Sequence, residues 1–97
     1  MSSYIMLANF TEQGLKNVAE TTKRAAAFKE HAAKAGCTMK ETFWVLGPYD
    51  VVAVFEAPDD ETMTALSLSL AKQGNVKTHT LRAFSAAEMG KVLGKVR

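Results

Sequence analysis

One cysteine is all the thiol in this chain, so Cys37 has no partner for an internal disulfide. That usage fits a reducing cytoplasmic compartment. Histidine is nearly as scarce: His31 and His79 stand far apart with no paired spacing. Metal binding needs converging ligands, so no metal and no other cofactor is expected. Neither sign of charge dominates. Twelve basic against ten acidic residues leave +2, too little to point to nucleic acid or an anionic membrane as partner. No apolar run approaches the ~20 residues that span a bilayer. The opening Met-Ser-Ser-Tyr-Ile also lacks the basic region and long apolar core of a secretion signal. Phosphate loops, dinucleotide glycine patterns and serine nucleophile elbows are absent.

What is present is a 97-residue chain with 47% apolar residues, enough for one domain over residues 1–97 with one modest core. It is organised around Trp44 to Asp60. A strand enters Gly47-Pro48-Tyr49-Asp50, turns, and leaves as the run Val51 to Ala57. Pro58 stops that run, and Asp59 or Asp60 opens a helix by accepting from its free N–H groups. Val51-Val52-Ala53-Val54-Phe55 is apolar at consecutive positions, so both faces of this strand are apolar.

Tyr4 to Phe10 reads as a first strand of the same kind. Leu15, Val18, Thr22, Ala25, Lys29 and Ala32 then recur at spacings of three and four, with Phe28 beside them, as on an amphipathic helix. The β-branched pair in Glu20-Thr21-Thr22 predicts a bend there, or a short turn before a main helix from about Thr22. Gly36 closes it. Cys37 to Leu46 is the second strand. A helix with Met63, Leu66, Leu70 and Ala71 on its core stripe follows Asp59-Asp60 and ends at Gly74-Asn75. Val76 to Phe84 is the fourth strand, whose untidy alternation predicts a bulge. Ser85-Ala86-Ala87-Glu88 has the form of a capping box opening a short C-terminal helix.

The order strand, helix, strand, strand, helix, strand with right-handed crossovers is the ferredoxin-like βαββαβ arrangement, an α+β fold. Its four antiparallel strands lie in the order fourth, first, third, second, with the helices on one face. The two central strands are the two with apolar residues on both faces, while the edges carry Lys40, Glu41, Lys77 and His79. Helices on one side leave the second apolar face open, a patch of roughly several hundred Å². A homo-oligomer, with a dimer favoured, is the expected cover; the alternative is the C-terminal helix folded back across the sheet.

Gly47-x-Tyr49-Asp50 leading into Val-Val-Ala-Val-Phe-Glu-Ala-Pro-Asp-Asp, with Gly74-Asn75-Val76 and Thr80-Leu81-Arg82-Ala83-Phe84, resembles the bacterial GYD domain family. Tyr4 to Thr11, Gln13-Gly14 and Thr22-Lys23-Arg24 match as well, so the resemblance covers nearly the whole chain. Pro48 interrupts the contiguous Gly-Tyr-Asp. The resemblance implies a fold similar to the dimeric α/β barrels, in which two ferredoxin-like sheets pack face to face. It carries no assigned reaction.

Candidate chemistry is sparse. Asn9, Tyr49, Asp50 and His79 are the candidates for a ligand pocket, with Glu12 and Asn75 brought to the same end by the topology. The competing structural reading has Asp50 accepting backbone bonds while Tyr49 packs over the turn. His79 is the one histidine on a strand, a candidate general base or ligand contact. Trp44, Phe55 and Arg82 are candidates for an interface between subunits. Ferredoxin-like sheets that bind RNA expose aromatics flanked by basic residues, which the largely aliphatic third strand lacks. Two function classes follow: a non-catalytic homo-oligomeric binding or interaction module of unknown ligand, a small molecule being the candidate, or a cofactor-free enzyme acting on an apolar molecule between sheet and helices. An enclosed pocket lined by at least two of Asn9, Tyr49, Asp50 and His79 would favour the enzyme.

Overall fold

The computed structural model describes residues 1–97. Strand β1 (Ser2–Phe10) runs into a short helix α1 (Glu12–Lys16), a 3₁₀ turn (Val18–Glu20) and the main helix α2 (Thr21–Lys34). Strands β2 (Thr38–Trp44) and β3 (Val51–Ala57) form a hairpin, followed by α3 (Asp60–Ala71), β4 (Val76–Ala83) and α4 (Ala86–Leu93). The sheet order is β2-β3-β1-β4 with every pairing antiparallel, as the βαββαβ reading requires.

Local chemistry accounts for the element ends. The Thr11 hydroxyl accepts from Gly14 N at 3.1 Å and caps α1. Asp59 accepts from Thr62 N at 2.8 Å and caps α3, and these bonds hold its carboxyl below the usual carboxylate range. Ser85 and Glu88 form the reciprocal capping box at the head of α4. Gly36 adopts φ +83°, the left-handed conformation that ends a helix.

The sequence differs from the structure at three places. The 3₁₀ turn and the start of α2 at Thr21 agree with the short turn expected at Glu20-Thr21-Thr22, but the stripe from Leu15 to Ala32 is not one helix face, and Leu15 and Val18 are exposed. The inward face of α2 is instead built on Thr21, Arg24, Ala25, Phe28 and Ala32. The irregularity expected in β4 lies in β2, where the register shifts between Met39 and Glu41, while β4 pairs with β1 without a slip. The extra residue, Lys40, reverses the parity of β2, so Met39 and Thr42 both face the helices although they are three apart. β2 also stops at Trp44, and Val45-Leu46 belong to the exposed turn.

Between the helices and one face of the sheet lies a core of Tyr4, Met6, Phe28, Phe55, Met63 and Leu66 with smaller neighbours. Phe28 meets Phe55 edge-on with centroids 6.0 Å apart, which locks α2 over β3. Ser67, outside the expected apolar stripe of α3, is buried and bonds Thr80 of β4 at 2.8 Å. The other face of the sheet has no helix over it. Helix α4 makes only marginal contact with the rest of the chain, so it does not provide that cover, and Met89, Val92 and Leu93 on it are exposed.

Candidate functional site

Three features carry possible function: the uncovered sheet face, a corner around the β2–β3 turn, and a cavity between the layers.

Register places Ile5 beside Val54 and Leu81, and Leu7 beside Val52 and His79, on the uncovered face. Phe43 of β2 pairs with Val52 and completes the patch. Phe43 is 52% exposed and Leu81 49%, large values for apolar side chains on a sheet. Of the residues expected at an interface, none points out of this face. Phe55 is fully buried under the helices, because strand alternation gives the open side to its neighbour Val54. Arg82 pairs with Tyr4 on the helix side. There it meets Glu88 at 3.4 Å, bonds the Ser3 and Ala83 carbonyls and lies over the Phe84 ring. Trp44 is partly exposed but donates its indole N–H to the Thr21 hydroxyl at 3.1 Å, again on the helix side.

The turn corner gathers the four residues expected at a pocket. Asp50 accepts from Phe10 N at 2.9 Å through its carboxylate, and its own N–H donates to Ala8 O at 2.9 Å. Asn9 donates to Pro48 O at 2.8 Å. Tyr49 meets His79 edge-on at 6.1 Å between centroids. These contacts tie the turn to the end of β1 and to β4. Glu12 and Asn75 are not part of this corner: Glu12 pairs with Lys16 at the surface, and Asn75 belongs to a clasp on the other side of β1's end. In that clasp Thr11 donates to Gly74 O at 2.5 Å, and Gln13 donates to Gln73 O and Asn75 Oδ1, each at 3.0 Å.

The cavity, about 70 Å³, lies between the helix side of the sheet and α2. Eleven of its sixteen lining residues are hydrophobic, and none of Asn9, Tyr49, Asp50 and His79 is among them. Its polar lining comes from Thr21, Arg24, Thr42, Gln73 and Asn75 with the Trp44 indole. Arg24 Nη1 donates to Asn17 O at 2.7 Å, while Arg24 Nη2 and Thr42 Oγ1 are buried without a partner. Arg24 is in no ion pair. These two residues escape a motif search. The readable sign is spacing: Arg24 precedes Phe28 and Ala32 by four and eight, which puts a cation on the buried face of α2. Thr42 gives no such sign, because the bulge at Lys40 decides which way it points.

Cys37 is buried, and burial first, with the nearby Asp59 charge second, pushes its thiol pKa up. It packs as a small apolar residue. No group of three or more His, Cys, Asp or Glu side chains is placed to hold a metal ion. No helix is long and apolar enough to cross a membrane.

The GYD domain family model matches residues 4–93. The chain belongs to the GYD domain family. A relative from Thermus thermophilus, named "Glutamine synthetase and cystathionine beta-lyase binding protein", is 33% identical over 90 residues, covering 92% of this chain and 95% of that protein. A crystal structure of a Thermus thermophilus protein superposes with a TM-score of 0.56 at 27% identity, over 89% of this chain and 96% of the other. A hypothetical protein from Pyrococcus horikoshii shares the fold with a TM-score of 0.57 at 17% identity, over 88% and 92% of the two chains. For this GYD domain protein, the uncovered sheet face and the cavity are the two features that its hydrogen-bonded turn corner does not absorb.

Proposed function

We propose that this GYD domain protein is a non-catalytic interaction module that works as a homo-oligomer and binds partner enzymes. The observation that carries the reading is the open apolar face of Ile5, Leu7, Phe43, Val52, Val54 and Leu81, spread over all four strands. A second copy is the occupant that fits, because an isologous sheet-to-sheet contact presents the same apolar patch from both sides. Burying roughly 1,200–2,000 Å² in total makes such a contact specific. A relative named for binding two enzymes supports the wider role. The unpaired Cys37 suits a reducing cytoplasm.

The lining of the cavity speaks against the enzyme reading. Arg24 is its sole ionisable residue, and a guanidinium stays protonated at working pH, so no general base faces a substrate there.

Light scattering tests the assembly: a mass at least twice the 10.5 kDa chain is expected, and a monomer overturns it. Biolayer interferometry against purified glutamine synthetase and cystathionine beta-lyase from the same source tests the partner class. Saturable binding to either supports it; binding to neither overturns it.

A further inference from the structure

The cavity between sheet and helices holds a charge that nothing in the chain answers. We propose that it is a binding site for a short-chain monocarboxylate, whose carboxylate sits on Arg24 Nη2 and Thr42 Oγ1 and whose alkyl tail lies against Phe28, Met39 and Phe55. This goes beyond the interaction role, and either reading can fail alone.

Four observations select that class. Arg24 and Thr42 both line the same cavity, and Arg24 Nη2 and Thr42 Oγ1 are both buried and unpartnered. A buried N–H of a cation with no acceptor is costly, so the arrangement calls for an anionic guest. Arg24 is the sole ionisable residue in the lining, so one negative charge is matched, and the second charge of phosphate or of a dicarboxylate would stay unpaired. The remaining wall is mainly hydrophobic, which asks for an apolar tail and rejects a fully polar anion. Size sets the limit: an enclosed cavity of ~150 Å³ takes benzene, so this one, about 70 Å³ and partly open to solvent, takes only a short chain such as butyrate or isovalerate with part of its tail in the mouth.

Thr42 donates its hydroxyl to the carboxylate while Arg24 supplies the charge, and the bond from Arg24 Nη1 to Asn17 O already orients the guanidinium. Trp44, the one tryptophan of the chain, also lines the cavity and reports on its contents.

The test is a Trp44 fluorescence titration of the full chain with sodium isovalerate, against isopentylamine and inorganic phosphate at matched ionic strength. A saturable change with isovalerate alone is expected. Arg24→Gln should weaken it roughly tenfold or more, as loss of a charge-assisted bond does. Thr42→Val, which keeps the side-chain shape, should weaken it roughly threefold or more. Arg24→Lys guards against a folding defect by keeping the charge, and it should bind better than Arg24→Gln. Absence of saturation with isovalerate means the cavity holds water only and overturns the proposal. Equal binding of the amine, or unchanged affinity in Arg24→Gln, overturns it as well.

Discussion

The Tyr4 hydroxyl donates to Asp60 Oδ1 at 2.5 Å, joining the start of β1 to the first turn of α3 across 56 residues of sequence. Tyr4 is buried in the core and pairs with Phe55 on the neighbouring strand, so the ring is fixed by packing and the bond positions the helix start. The accepting carboxylate raises the phenol pKa above its ordinary value, with burial and the Asp60 charge adding to it.

A raised phenol pKa in the folded state means that the fold favours the protonated form. Its contribution is fully present below the unfolded value of about 10 and is lost as pH rises through the folded value. The melting temperature of the wild type should therefore show an alkaline decline that Tyr4→Phe lacks. At neutral pH Tyr4→Phe should cost about 1 kcal/mol, because the exposed Asp60 regains water and only one net hydrogen bond is lost. Denaturant titrations at pH 7 and above pH 10 check both parts; a wild-type and mutant pair with parallel pH profiles would overturn the argument.

Gly14 makes a different kind of demand. A Cβ there would run into the carbonyl oxygen of Asn75, part of the backbone clasp between α1 and the loop before β4. That same carbonyl accepts from Thr11 N at 3.1 Å, so it cannot swing away without breaking the clasp. Gly14→Ala should destabilise by about 1–3 kcal/mol, the range for overpacking a closed site. Chemical denaturation measures it. A neutral substitution would mean that the clasp opens freely in solution.

At the turn, the structural reading of Asp50 has a specific bond behind it: its carboxylate takes Phe10 N, a donor that belongs to β1 and not to the turn. Asp50→Ala leaves that N–H without its partner and should cost about 1–2 kcal/mol. Tyr49→Phe keeps the ring contact with His79 and should leave the melt unchanged. If Tyr49→Phe instead abolished binding of a partner enzyme with stability intact, the corner would be a recognition site. Interferometry and a melt on the same two variants separate these outcomes.

How much of this was legible beforehand depends on the length scale of the cause. The cap read at Asp59 or Asp60 and the Ser85–Glu88 box follow from patterns within a few residues, and strand order with β1 and β3 central follows from the order of elements along the chain with right-handed crossovers; those readings agree with the structure. The face assignments followed less well. Lys40 inserts one residue into β2, and that single slip turns Thr42 toward the cavity and Phe43 toward the open face. Phe55 looked like an interface residue because an unbroken apolar run does not say which parity faces the helices. Arg24 stayed hidden in a helix read one register away, since the 3₁₀ turn at Val18–Glu20 resets the phase. The cavity depends on all three local events at once, and no short motif encodes it.

The last prediction concerns the open face. Val52 sits between Leu7 of β1 and Phe43 of β2, near the middle of the patch, and it is only half-buried in the single chain. A lysine there keeps its stem on the sheet and its ammonium in water, so the isolated fold tolerates it. Between two copies packed face to face, the same ammonium would be buried twice without a partner, which costs several kcal/mol by the usual penalty for unpaired charges at an interface. Val52→Lys should therefore give a monomer of about 10.5 kDa by light scattering, with its circular dichroism unchanged. Glu30→Lys, on the exposed outer side of α2 away from the sheet, should leave the mass of the assembly as it is. An oligomer that survives Val52→Lys would move the contact away from the sheet, and the exposed apolar residues of α4, Met89, Val92 and Leu93, would be the surface to mutate next.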